Sequence, residues 1–189
     1  MPETIYSVIA RHIPLSSSAQ EFIGARLVPK TLHKGAHFLR AGEFNNKMAF
    51  LESGLLRSYY FDEEGREHTT RFVEVGGFFT DLDSFQQGSK SERSIEALLD
   101  CQILVIDKRS IQECQHEIES WDTFEKDYIS NQLMKKIHFQ RQVAQSNSQK
   151  AYETFLASYP GAARYAPRYQ IASFLGLSPF SLSRIKIAN

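Results

Sequence analysis

The stretch Arg168–Ile187, RYQIASFLGLSPFSLSRIKI, constrains the chain more than any other. Ile171, Ala172 and Leu175 fall at i, i+1 and i+4, one face of a short helix. Gly176 supplies the left-handed residue that ends it. Leu177 is then the buried residue of the turn. Ser178 is an N-cap, and Pro179 takes the first helical position, where its missing N–H costs nothing. Leu182 and Ile185 turn the inner face of a second helix back on the first. Ala172 is the small residue that lets the two helices cross closely. Phe180, Ser181, Ser183 and Arg184 point away from that inner face. This is the spacing of a DNA-binding helix-turn-helix, whose second helix reads base edges. The rest of the chain should position, pair and regulate it.

Charge supports a nucleic-acid partner for that end. Lys plus Arg equal Asp plus Glu at 22 each, so the 189 residues carry no net charge. From Asn131 onward, however, eight basic residues (135, 136, 141, 150, 164, 168, 184 and 186) stand against the single acid Glu153. A basic end on an acidic body fits a nucleic-acid-binding module joined to a domain that does not bind. Cys101 and Cys114 are the only cysteines, at no metal-like spacing, which predicts a reduced, cytoplasmic protein. No apolar run approaches the roughly 20 residues of a membrane span. The acid near the N-terminus and the lack of an apolar core there argue against a signal peptide.

Residues 4–28 carry apolar positions at helical spacing. From Val28 the period changes. Lys30–Leu32, His37–Arg40, Lys47–Glu52, Leu55–Asp62 and His68–Val75 are short runs rich in aromatic and β-branched residues. KGA, AGE, ESG, DEEG and VGG separate them as turns, and DEEG predicts a hairpin. Residues 79–92 break the pattern with a short helix and a loop. Strands resume at Ser94–Leu98 and Gln102–Asp107, and a short helix follows over Arg109–Gln115. This spacing predicts a sandwich or barrel. A long helix without Pro or Gly is expected from Glu117 to about Gln145. It carries two apolar stripes. Trp121, Phe124 and Tyr128 form one; Ile129, Leu133, Ile137 and Ala144 form the other, close to coiled-coil spacing. One stripe suits the helix's own domain and the second a partner helix, so a homodimer is expected. AQSNSQ at 144–149 suits a hinge. Tyr152, Phe155, Leu156 and Tyr159 predict one more helix, ended by Pro160-Gly161.

Strands of a jelly roll, a long helix, a hinge and a helix-turn-helix follow each other here in an order that resembles the cyclic-AMP receptor protein (Crp/Fnr) family of bacterial transcription regulators. HKGAHFLRAGE (33–43), MAFLESGLLRSYYFDEEGRE (48–67), the segment 77–98 and QIASFLGLSPFSLSRI (170–185) carry the resemblance. It implies an α+β chain: a cyclic-nucleotide-binding-like roll over 1–116, a dimerisation helix and hinge over 117–146, and a DNA-binding unit over 147–189. It implies double-stranded DNA with a two-fold-symmetric site, a second copy of the chain and RNA polymerase as partners, and no membrane.

In that family a phosphate-binding cassette resembles Gly-Glu-Leu followed later by Arg-Ser. Its Glu takes a ribose hydroxyl and its Arg the cyclic phosphate. Thr80-Asp81-Leu82 and Arg93-Ser94 correspond here. Arg93 and Ser94 match. Asp81 is one methylene short, Thr80 puts a Cβ where glycine allows close approach, and the loop is about two residues longer. The cassette is degraded, so the effector is a cyclic nucleotide, another small anion, or absent. No cysteine precedes Cys101, which excludes an N-terminal iron–sulfur cluster. His33, His37 and His68 read as ordinary histidines. Arg184 matches the family position that reaches bases. Pro179 and Phe180 replace the polar pair that usually opens the recognition helix, so Phe180 either meets thymine methyls or packs on its own domain. Ser178, Ser181 and Ser183 are candidates for phosphates or base edges, and Arg168 and Lys186 for phosphates. The sequence stops at Asn189, so no β-hairpin wing is expected.

Two other classes compete. The helix-turn-helix could have become a protein-interaction surface, or the roll could house a cupin-like metal enzyme. The enzyme reading lacks an H-x-H pair, a nucleophile–base pair and a phosphate loop.

Overall fold

The computed structural model describes residues 3–185; Lys186 lies outside the described residues. Two short helices open the chain, α1 over Ile5–Ile9 and α2 over Ser17–Gly24. Thr4 caps the first with a reciprocal capping box to Ser7, and Ser16 caps the second.

Eight strands follow: β1 Val28–Leu32, β2 His37–Leu39, β3 Lys47–Ser53, β4 Leu56–Phe61, β5 Glu67–Val73, β6 Phe78–Phe79, β7 Ser94–Ala97 and β8 Cys101–Asp107. They form two four-stranded antiparallel sheets, in the orders β1-β8-β3-β6 and β2-β7-β4-β5. Strands consecutive in sequence often lie in different sheets, which makes this a jelly roll. Leu39, Leu51, Leu56, Val73, Ile95 and Ile103 fill the space between the sheets. The DEEG turn closes the β4–β5 hairpin, where Asp62 accepts from the Glu64 and Arg66 amides at 3.0 and 2.9 Å. Hydrogen bonds from His68, then from Arg66, hold the Asp62 carboxyl well below its ordinary range. One short helix, α3 over Leu82–Gln87, interrupts the strand series.

Beyond the roll, α4 spans Lys108–Glu117 and α5 spans Trp121–Ala144. The long helix therefore starts four residues later than its periodicity implies. Ile118 is extended and Ser120 takes a left-handed conformation at φ 67°, and together these turn the chain between the two helices. The first turns of α5 lock onto α1, α2 and α4 through Trp121 and Phe124. Among the described residues no helix is long and apolar enough to cross a membrane.

The C-terminal unit holds α6 over Ser148–Ser158, α7 over Pro160–Tyr165, α8 over Arg168–Leu175 and α9 over Pro179–Ser183. Pro160 does more than end α6: it occupies the N-terminal position of α7. Only Gln145, Ser146 and Asn147 separate α5 from α6. Asn147 caps α6 by accepting from the Lys150 amide at 2.9 Å, so the expected hinge is a short, capped link.

Candidate nucleic-acid interface and effector site

The turn between α8 and α9 is built as the residue types dictate. Gly176 closes α8 at φ 66°, with nothing within 4 Å of the Cβ that another residue would add. Its demand is thus conformational rather than steric. The Leu177 amide donates to the Ala172 carbonyl at 2.9 Å and turns the chain. Ser178 Oγ accepts from the Ser181 amide at 3.0 Å, and Pro179 follows it. Leu182 and Ile185 are buried against Ile171, Ala172 and Leu175, while Leu177 is half-buried.

The outward face of α9 is small. Phe180 is 62% exposed, and the Arg184 guanidinium carbon lies 3.9 Å from the centre of its ring. The two side chains, four residues apart, form one stacked cationic and aromatic surface. Ser181 Oγ lies 2.8 Å from Ser178 Oγ, and Ser183 Oγ donates to the Phe180 carbonyl at 2.8 Å. Both hydroxyls are engaged locally. Arg168 donates from Nη2 to the Leu182 carbonyl at 2.6 Å. One arm of this arginine therefore ties α8 to the C-terminal end of α9, where a cation also suits the helix dipole.

The C-terminal unit rests on the outer face of the β4–β5 edge. Ser173 of α8 accepts from the Thr69 amide at 2.9 Å and donates to the Glu67 carbonyl at 3.2 Å. Phe72 of β5 packs edge-on against Phe155 and Phe174. The Ala162 amide donates to Glu74 at 2.9 Å. Phe139 of α5 is buried in the same cluster, stacked on Phe174. At the centre of the junction lies Arg57, 3% exposed. It donates to Glu67 and Glu96 at 2.9 Å each, and its guanidinium lies 4.2 Å from the Tyr59 ring. Burial works against the Arg57 charge, and the two carboxylates more than offset it, so its pKa is raised. Gln170 of α8 meets only donors there, so its amide oxygen is the atom that turns to Arg57, 3.2 Å from Nε. The sequence offered a signal for this cluster: one arginine within the apolar run LLRSYYF.

Asp81 and Arg93 do come together. Arg93 Nη1 donates to Asp81 at 3.2 Å and lies 3.5 Å from Asp83. Asp81 is buried and also accepts from Ser91 Oγ at 2.6 Å. The carboxylate and the guanidinium that would share a cyclic nucleotide are joined to each other instead. Thr80 Oγ1 donates to the Lys47 carbonyl at 2.9 Å and accepts from Asn45. Leu82 opens α3 and is half-buried, and Ser94 Oγ accepts from the Ala41 amide at 3.0 Å. The hydroxyls of the cassette thus serve its own loops. Among the described residues no group of three His, Cys, Asp or Glu could hold a metal ion.

Along α5 the two stripes separate. Phe124 is buried in the roll's helical cluster and Tyr128 packs against it, its hydroxyl accepting from the Phe78 amide at 3.0 Å. Ile129, Leu133 and Ile137 remain 43–54% exposed, and Met134, which the spacing argument omitted, joins them. Ala144 is exposed at the helix end.

Comparison with known proteins places this geometry. Residues 29–117 match the family model described as the cyclic nucleotide-binding domain. No curated protein matches the sequence. Among solved structures the chain is similar to FixK2 from Bradyrhizobium japonicum, at 17% identity and a TM-score of 0.68 over 84% of this chain and 81% of that one. It is similar to the c-di-GMP-responsive global regulator CLP of Xanthomonas campestris, at 16% identity and a TM-score of 0.68 over 89% of each chain. A transcriptional regulator assigned to the crp/fnr family from Eubacterium rectale matches at 18% identity and a TM-score of 0.69, over 90% of this chain and 81% of its own.

Proposed function

We infer, from a chain that carries a cyclic nucleotide-binding domain and shares the fold of Crp/Fnr transcription regulators, a DNA-binding transcription regulator controlled by its roll. The observation that carries the reading is the outward face of α9, with Arg184 stacked on Phe180 at the end of the basic C-terminal region. Two copies joined along Ile129, Leu133, Met134 and Ile137 of α5 present two such helices to a two-fold-symmetric duplex. The functional divisions are 1–116 for sensing, 117–146 for pairing and 147–189 for reading. RNA polymerase is the partner that a promoter-bound regulator of this kind engages.

The direct contact of α8 with β5 gives control a physical route. A change at the roll's edge moves the surface on which α8 rests, and with it the recognition helix. A cyclic nucleotide at the cassette has to displace the Asp81–Arg93 pair, which argues for a different effector.

The test is selection of bound duplexes from a random pool with the full chain, followed by variants. Arg184→Ala should cost about 1–3 kcal/mol at one position of the selected site and relax its sequence there, as loss of a base contact does. Lys186→Ala should weaken all sequences alike and reduce the salt slope by about one. A pool without enrichment at low salt would overturn the DNA reading in favour of a protein-interaction surface.

A further inference from the structure

His37 of β2 belongs to the contacts on which the C-terminal unit sits. Among the described residues its Nδ1 is the one buried side-chain nitrogen or oxygen without a hydrogen-bond partner. Its Nε2 lies 2.9 Å from the Tyr59 hydroxyl. Tyr59 is buried, and the Arg57 guanidinium lies 4.2 Å from its ring. Arg57 in turn meets the Gln170 amide of α8. His37 also stands opposite Glu96 of β7 in register, and Glu96 stands opposite Arg57 of β4. One row of contacts therefore runs from β2 to the first helix of the helix-turn-helix.

A neutral imidazole carries one N–H. On Nε2 that proton is donated to Tyr59 and leaves Nδ1 a bare lone pair. On Nδ1 it would be a buried donor with no acceptor, so the first tautomer is the one assigned. Protonation puts a charged donor at Nδ1 all the same. Arg40 and Glu43 of the following loop, Glu96 of β7 and Arg57 of β4 are the charges around the ring. The two arginines repel an imidazolium. The two acids attract it, but neither accepts from the ring as it stands: Glu43 holds the Arg40 amide and Glu96 holds Arg57. To reach either acid the ring has to turn, and turning breaks its bond to Tyr59. Burial first, then Arg40, keeps the His37 pKa below the ordinary 6.5.

We propose that His37 is a proton-operated latch on the C-terminal unit. The neutral ring fixes Tyr59 beneath Arg57, and Arg57 holds Gln170 and so α8. The imidazolium lets Tyr59 go and loosens that seat. The chain thereby responds to mild acid at a place remote from the Asp81–Arg93 cassette. The effect on DNA rests on the function proposed above; the loosening of α8 does not. The sign follows from linkage. The folded-state pKa lies below the unfolded one, so stability is complete above pH 6.5. It falls as the pH drops below that value, and the loss ends once the folded-state pKa is passed.

Amide exchange of the intact chain at pH 7.5 and 5.5, corrected for the intrinsic pH dependence of exchange, tests this. The rate in α8 relative to β1 should rise by about fivefold on acidification, the low end of what an unpaired buried donor costs. His37→Gln, which cannot take the charge, should remove the rise. Tyr59→Phe, which keeps the ring under Arg57 but not the bond to His37, should remove most of it. His68→Gln is the control, because His68 pairs with Asp62 at the hairpin, and it should keep the rise in full. An α8 rate that does not change with pH, or a rise that survives His37→Gln, would overturn the latch and leave the DNA reading standing. A rise that depends on His37 in a protein that binds no duplex at either pH would overturn only the DNA reading.

Discussion

Arg57→Leu should lower the unfolding free energy by about 3 kcal/mol, read as a fall in the urea midpoint at unchanged m. Removing the guanidinium leaves Glu67 and Glu96 facing each other across β4, with Gln170 and Thr69 deprived of their shared partner. Breaking a buried pair by deleting one member costs about 3–5 kcal/mol, because the survivor keeps its desolvation penalty. The side chains of Glu67 and Glu96 retain 25% and 20% of their exposure, which lets water reach them and puts the loss at the lower end. The damage should also be directional. Amide exchange in α8 should quicken more than in β1, since α8 rests on this cluster and β1 does not. A loss below about 1 kcal/mol would mean that the cluster behaves as an ordinary surface ion pair. The triple variant that also replaces Glu67 and Glu96 with leucine should recover most of the stability, because it removes the stranded charges.

The largest functional effect is expected on α5. Leu133 and Ile137 are 54% and 45% exposed, one helical turn apart, on a helix whose other stripe is already spent on the roll. Leu133→Asp combined with Ile137→Asp should convert the proposed dimer into a monomer in sedimentation experiments. It should leave the fold intact, because neither residue belongs to a buried cluster. DNA affinity should fall by about 100-fold or more, since a monomer holds one half-site without the avidity of two. A double variant that stays dimeric would move the pairing surface away from α5.

Much of this molecule could be read from periodicity and turn chemistry. The alternation of β4 and β5 around DEEG fixed a hairpin, and Gly176, Ser178 and Pro179 fixed the α8–α9 turn. These are local devices, and local sequence determines them. The boundary at Ser120 was not legible, because a left-handed serine carries no compositional mark and the apolar period runs through it. The second helix at Pro160 was missed for the opposite reason: proline both stops one helix and starts the next. The seating of α8 on β5 was the least legible. Ser173, Gln170 and Phe174 are unremarkable helix residues until Thr69, Arg57 and Phe72 lie beneath them, more than 100 residues away in sequence. The same holds for Asp81 and Arg93. Sequence places both in a cassette, and only the fold shows that they satisfy each other.

Stoichiometry on a selected duplex is the most direct test of the account. The intact chain and a two-fold-symmetric site from the selection should sediment as two chains per duplex. The binding constant should fall steeply with salt, by about 0.9 logarithmic units per tenfold change in salt for each phosphate contact. One chain per duplex, or no complex even at low salt, would contradict it.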